Sequence, residues 1–243
     1  MTTTLRTAGA VARLLGEDVG RSSRFLVPML LFAAVLAVLF GGDPGPLPLP
    51  WAASALMLYP VGAWLTHSLA ETEDDVQRTV TVSAAGGPAP VTIGVLMAGS
   101  AGVAVLSLLA LVWGTVASFS SATVGGLFDG LCAHLACGLT GVAVGLVFAR
   151  PMVGHLGWAL LGGLAFVVIT GTQSWLPPVG TAAASLGTVR GGIGPFGDLV
   201  LAAVLAVAAT ALVVRAERGW SGEWADRWAE RWVALRRRMP GQG

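Results

Sequence analysis

Polar residues arrive in clumps along this chain, and between the clumps lie six predominantly apolar runs at about 25–42, 50–69, 91–113, 124–149, 153–171 and 197–214. A hydrocarbon core about 30 Å thick takes roughly 20 residues of helix, somewhat fewer where flanking side chains reach to the interface. The pattern therefore predicts six transmembrane helices over residues 25–214. The first run ends in "GGDPGP" without a small-residue cleavage site, so it reads as a retained span.

Shorter patterns flank and interrupt the runs. Over residues 1–24, Val11, Leu15 and Val19 recur every four positions while Arg6, Arg13, Glu17 and Arg21 fall largely elsewhere, which predicts an amphipathic interfacial helix. In the tail, residues 215–243, Trp220, Trp224, Trp228 and Trp232 repeat every four positions, drifting about 40° per step around a helix. Tryptophan favours the headgroup layer, so this second amphipathic helix is expected to lie on the inner leaflet with Arg236, Arg237 and Arg238 near anionic lipid; the alternative is a Trp face packed on another subunit. The segment "TQSWLPPVGTAAASLGTVRGGIGPFGD", 172–198, is too apolar for a water-facing loop and too rich in Gly and Pro for a span. Non-helical backbone at membrane depth survives only where protein or a wet cavity satisfies it, which predicts a re-entrant hairpin between spans five and six, with an ordinary capping loop as the alternative.

Composition and charge then sharpen the picture. Hydrophobic residues make up 55% of the 243 and charged ones 11%, the balance of a polytopic membrane protein. All 14 basic residues are arginine, so no phosphate-binding loop ending in G-K-[ST] is possible and the chain is not itself a P-loop ATPase. Arg6, Arg13, Arg21 and Arg24 precede span one, Arg78 and Arg150 fall in the second and fourth connections, and seven more follow span six, leaving Arg190 alone on the other side. By the positive-inside rule both termini are cytoplasmic, in an inner membrane whose bacterial origin fits the Arg-for-Lys, Ala- and Gly-rich composition. These arginines stand where topology requires them, so no nucleic-acid partner is expected. Cys132 and Cys137 lie inside one apolar run and read as small hydrophobes rather than a disulfide.

The densest clump of charge is "ETEDDVQRTV", 71–80, with four carboxylates in five positions. Thr72 and Asp75 resemble a capping box, and acids in a first turn complement the helix dipole. A short helix over 74–85 follows, with Val76, Val80 and Ala84 on one line and Gly86, Gly87 and Pro88 as its stop, Pro90 opening the next span. A basic amphipathic N-terminal helix, six spans, an acid-led cytoplasmic helix running into "VTVSAAGGPAPVTIG", and a Gly/Pro-rich hairpin before span six together resemble the permease subunit of a type-2 ABC transporter. The resemblance implies an all-α integral membrane fold whose second connection is the coupling helix seated in a cytoplasmic ABC ATPase. Glu71, Glu73, Asp74 and Asp75 would begin that helix, with Val76, Arg78 and Val80 facing or flanking the ATPase groove. It further implies a second permease chain, ATP and Mg bound by the ATPase rather than by this chain, and export of an amphipathic or hydrophobic substrate.

Other constellations compete. Ser100 in "AGSAG" and His134 both fall near the middle of their runs, the pair an intramembrane serine hydrolase would want, although "AGSAG" lacks the first glycine of G-x-S-x-G and small residues are what helix packing in lipid selects. Cys132, His134 and Cys137 do not converge on one helix, so no metal site is expected. His134 is an ionisable group at membrane depth, with Asp129 or Cys137 as its conceivable partner, or else a neutral imidazole bonded to a carbonyl. Gly126 with Gly130, and Gly141 with Gly145, predict close helix contacts, within one bundle or across a dimer. An ion-driven transporter and an immunity-type membrane protein remain the other functional classes.

Overall fold

In the computed structural model residues 2–21, 26–42, 44–150, 152–187 and 193–238 are described, and for Thr2, Val19, Asp75, Leu156 and 220–238 the description covers the backbone. The described residues form helices and their connections, with no strand. In chain order they are α1 (Thr2–Arg21), α2 (Leu26–Phe40), α3 (Leu49–Ala70), α4 (Asp75–Ala84), α5 (Pro88–Ala117), α6 (Val124–Val147), α7 (Leu156–Gly171), α8 (Val179–Ser185) and α9 (Gly194–Arg238). Among the described residues three stretches are long and apolar enough to cross a bilayer, Pro88–Ala117, Val124–Val147 and Gly194–Gly219. Leu26–Phe40 and Gly157–Gly171 are apolar but shorter, and α3 is long but diluted by Trp51, Tyr59, Pro60, Trp64 and His67. The chain is a helical membrane protein.

The centre of the bundle is the seam between α3 and α6, which glycine makes possible. A Cβ at Gly141 would lie 2.3 Å from the Tyr59 carbonyl oxygen, and one at Gly145 would lie 2.5 Å from that of Ala63. Backbone meets backbone there, so the Gly141/Gly145 patch works inside one bundle. Gly130, from the other patch, accommodates the buried Trp51 ring, while Gly126 accepts no neighbouring helix; its N–H bonds the Thr123 hydroxyl that caps α6. On the far side of α6 lies α9, whose buried Ala202, Ala206, Ala209 and Val213 fall three or four residues apart, the spacing of one helix face.

Local chemistry explains most boundaries. Asp74 caps α4, its carboxylate accepting from the Gln77 N–H at 2.7 Å. The cap is therefore Asp74 and not the expected Thr72, whose hydroxyl instead donates to the Ser68 carbonyl of the preceding helix. Gly86 and Gly87 take φ of 78° and 134°, a region L side chains avoid, and end α4 so abruptly that α5 starts at Pro88, two residues before Pro90.

Three expectations need correction. The apolar stripe of α1 does not face a leaflet: Ala8, Val11 and Leu15 are buried, and Val11 lies so close over α5 that a Cβ at Gly94 would meet its Cγ1 at 2.7 Å. α5 offers a glycine notch and the stripe fills it. No break separates the last span from the tail, since α9 runs unbroken for 45 residues. The stretch after Val213 has no proline to stop it, and the side chains of Trp220, Trp224, Trp228 and Trp232 lie outside the described residues, as does Arg190. Finally, 172–198 is not wholly irregular: it folds a short helix, α8, whose Val179, Gly180, Thr181 and Ala182 are buried against α3, α6 and α9.

Candidate functional site

The acidic clump organises one end of the bundle, but mostly through contacts within the chain. Glu71, at the C-terminus of α3, accepts from the Arg150 backbone N–H at 2.9 Å and from its guanidinium at 2.6 Å. Burial alone would raise this carboxyl, but the hydrogen bonds and charge of Arg150 outweigh it and hold Glu71 below the ordinary carboxylate range. Glu73 is buried and accepts from the Thr81 hydroxyl at 2.5 Å, folding the entry turn of α4 back on its body. Asp74 makes the cap, an interaction of about 1 kcal/mol in comparable helices. Arg78 forms an ion pair at 2.5 Å with Glu217 of α9, whose other oxygen accepts from Thr92 of α5 at 3.3 Å. Both members of that pair are largely sheltered, with side chains 18% and 10% exposed, so solvent screens them less than an open surface pair.

The opposite face of α4 is left open. Val76 is 74% exposed and Val80 64%, with Ala84 exposed one turn further on. Three apolar residues at i, i+4 and i+8 thus point away from the bundle on a helix whose polar side is tied down. Of the seven residues expected to engage a partner, Val76 and Val80 are presented outward. Glu71, Glu73, Asp74 and Arg78 hold the helix in place, and the side chain of Asp75 lies outside the described residues.

Deeper in the bundle the expected Ser100–His134 pair does not form. His134 is fully buried on α6; its Nδ1–H donates to the Gly130 carbonyl at 2.7 Å, leaving Nε2 to accept from the Ser54 hydroxyl of α3 at 2.9 Å. Neither Asp129, exposed on the surface of α6, nor Cys137, whose thiol lies 3.8 Å from the Val179 carbonyl, partners it. Ser100 is half-buried on α5. The histidine is a satisfied packing residue bonded to a carbonyl, without the third carboxylate member that would orient a catalytic base. Ser54→Ala should strand Nε2 without a partner and lower stability by about 1–3 kcal/mol, read as a fall in melting temperature, while Ser100→Ala should leave it unchanged. Equal effects would move the buried polar contact elsewhere.

Sequence reasoning missed Asp198 altogether. This carboxylate near the start of α9 is fully buried, and Oδ1 accepts from Thr181 of α8 at 2.7 Å while Oδ2 has no partner among the described residues. The bond pins α8 to α9, and a lone Asp in a glycine-rich stretch gives no signal of burial. Arg150 was read as a topology charge and Glu217 was not singled out, since their partners lie 79 and 139 residues away in sequence. Among the described residues no cluster of three or more His, Cys, Asp or Glu is placed to hold a metal ion. Compared with known proteins, the chain matches no family model, and no curated protein or solved structure matches it either.

Proposed function

We propose that this chain is the permease subunit of an ABC-type transporter, working as a six-span bundle in a bacterial inner membrane with both termini cytoplasmic. α2, α3 and α5 would form the first three spans, α6 and α7 the next two and the apolar part of α9 the last, with α2 and α7 short enough to thin the bilayer locally. A second permease chain and a cytoplasmic ABC ATPase complete the unit, ATP and Mg reside on the ATPase, and the cargo is an amphipathic or hydrophobic molecule moved outward. α8 would be the re-entrant element at the outer end.

One observation supports this reading above the rest: α4 is fixed on its polar side by Glu73–Thr81 and Arg78–Glu217 while its apolar line stays bare. A simple linker has no need of a cap, two anchors and a hard stop. A helix that transmits force to another protein needs all of them, because a docking face on a loose tether would absorb the motion it is meant to relay.

The test is affinity purification of the full chain from its native membranes, with mass spectrometry and ATP-hydrolysis assays on what accompanies it. Wild type should carry a nucleotide-binding chain, and Val80→Asp should lose it by more than about tenfold, because the new carboxylate enters a desolvated contact without a partner. The membrane bundle should remain intact, since the Val80 side chain is 64% exposed and outside the buried core. Wild type without an ATPase, or a Val80→Asp protein that keeps one, overturns the proposal.

A further inference from the structure

Two cavities meet on the flank of the bundle where α7 stands off from α3 and α6. The one nearer the α4 end has a volume of ≈ 670 Å³, and its wall includes Glu71, Arg150 and Ser68. The one deeper along α7 has a volume of ≈ 340 Å³, and Pro60, Val144, Phe148, Leu164 and Val167 make its wall apolar. Trp64, His67, Ala159 and Leu160 line both, so the two are one groove with a polar mouth and a greasy depth. On α7 the groove takes Ala159, Leu160, Gly163, Leu164 and Val167, a single helical face about 12 Å long. That approaches half the thickness of a hydrocarbon core, the depth an acyl chain reaches from its headgroup.

The chemistry of the mouth narrows the occupant. It offers one carboxylate and one guanidinium, already paired, so a head with net charge of either sign meets a countercharge and a like charge together. A zwitterion meets both favourably: phosphate against the guanidinium, which carries five donors, and ammonium against the carboxylate. His67 adds an independent sign of a missing ligand, for it is only 9% exposed, lines both cavities and leaves Nε2 without a partner among the described residues. The other face of α7 presents Trp158, Leu161 and Ile169 to the surroundings, as a lipid-facing helix does, so the groove lies beside the acyl layer and not an aqueous path.

We propose that this groove binds a phospholipid with a zwitterionic head, the head at the Glu71–Arg150 mouth and one acyl chain between α7 and the α3–α6 seam. The inference goes beyond the transport reading and needs only that the bundle sit in a bilayer with the mouth at headgroup level.

The test uses the full chain purified in mild detergent, given an equimolar mixture of phosphatidylethanolamine and phosphatidylglycerol with matched acyl chains, and examined by native mass spectrometry. Wild type should retain the ethanolamine lipid at several-fold excess. Gly163→Leu fills the apolar part without touching the mouth and should lower retention at least tenfold. Gly163→Ala should behave as wild type, because its Cβ would meet Phe148 at 3.5 Å, an ordinary contact. Should Gly163→Leu fail to fold, an ethanolamine lipid with a photoreactive acyl chain, added to wild type, should crosslink to the Ala159–Val167 stretch of α7. Equal retention of the two headgroups, undiminished binding by a folded Gly163→Leu protein, or crosslinks spread over all exposed apolar faces would overturn the proposal. No ATPase takes part in this experiment, so its failure and that of the transport reading are separate results.

Discussion

Gly141→Val is expected to yield little or no monodisperse protein. The first atom of any side chain at this position falls 2.3 Å from the Tyr59 carbonyl oxygen and 2.9 Å from the Ala63 nitrogen, both main-chain atoms of α3. No rotamer change relieves such a clash, so the two helices must part along the seam that carries Leu58, Tyr59, Val142 and Leu146 in the core. Overpacking a core costs about 1–3 kcal/mol when side chains can adjust, and a backbone-on-backbone collision exceeds that. Against a typical total of about 5–15 kcal/mol, separation of the central helix pair is enough to abolish assembly. Size-exclusion profile and melting temperature of detergent-purified protein measure it, with Gly9→Ala as the control because a Cβ there meets nothing within 4 Å. A Gly141→Val protein that elutes and melts like wild type would refute the seam.

Arg150→Leu should have the next largest effect. It removes the guanidinium from the Glu71 carboxylate, only 18% exposed, and leaves the anion the weaker backbone N–H of residue 150. Fully buried pairs broken in this way cost about 3–5 kcal/mol, and the partial exposure here brings the expectation to roughly 2 kcal/mol at neutral pH. The sign of the pH dependence follows from the depressed value of Glu71 in the folded protein. The stabilisation is complete above the unfolded carboxylate pKa of about 4.3 and disappears as pH falls through the lower folded value. Wild type and Arg150→Leu should therefore differ most near neutrality and converge under acid. Adding Glu71→Gln to Arg150→Leu should recover part of the loss at neutral pH, since no stranded charge remains. A gap that persists unchanged at the acid end would assign the effect of Arg150 to packing alone.

Helix positions were legible because apolar runs and punctuation are local. The bounds of α2 through α7 depart from the expected runs by no more than a few residues, and Gly86–Gly87–Pro88 stops one helix and starts another where the sequence says it must. Contacts across the bundle were not legible. Nothing around Val11 tells that it finds Gly94 rather than lipid, and nothing around His134 points to Ser54, 80 residues away. Periodicity identifies a face without saying what it meets. The four acids of 71–75 show the same limit: clustering in sequence suggested one shared task, whereas Glu71, Glu73 and Asp74 reach a turn, a threonine and a helix start in three directions.

The unbroken course of α9 has a mechanical consequence. From Asp198, bonded to α8, to Glu217, bonded to α4, continuous helix advances 19 residues, a strut of about 28 Å. A strut neither stretches nor stores slack, so the two hydrogen-bonded ends are locked in phase. Any shift of α4 large enough to matter must drag the far end of the rod, and with it α8, or else snap Arg78 from Glu217. α9 is thereby a stiff linkage between α8 and α4, and the ion pair is its clutch.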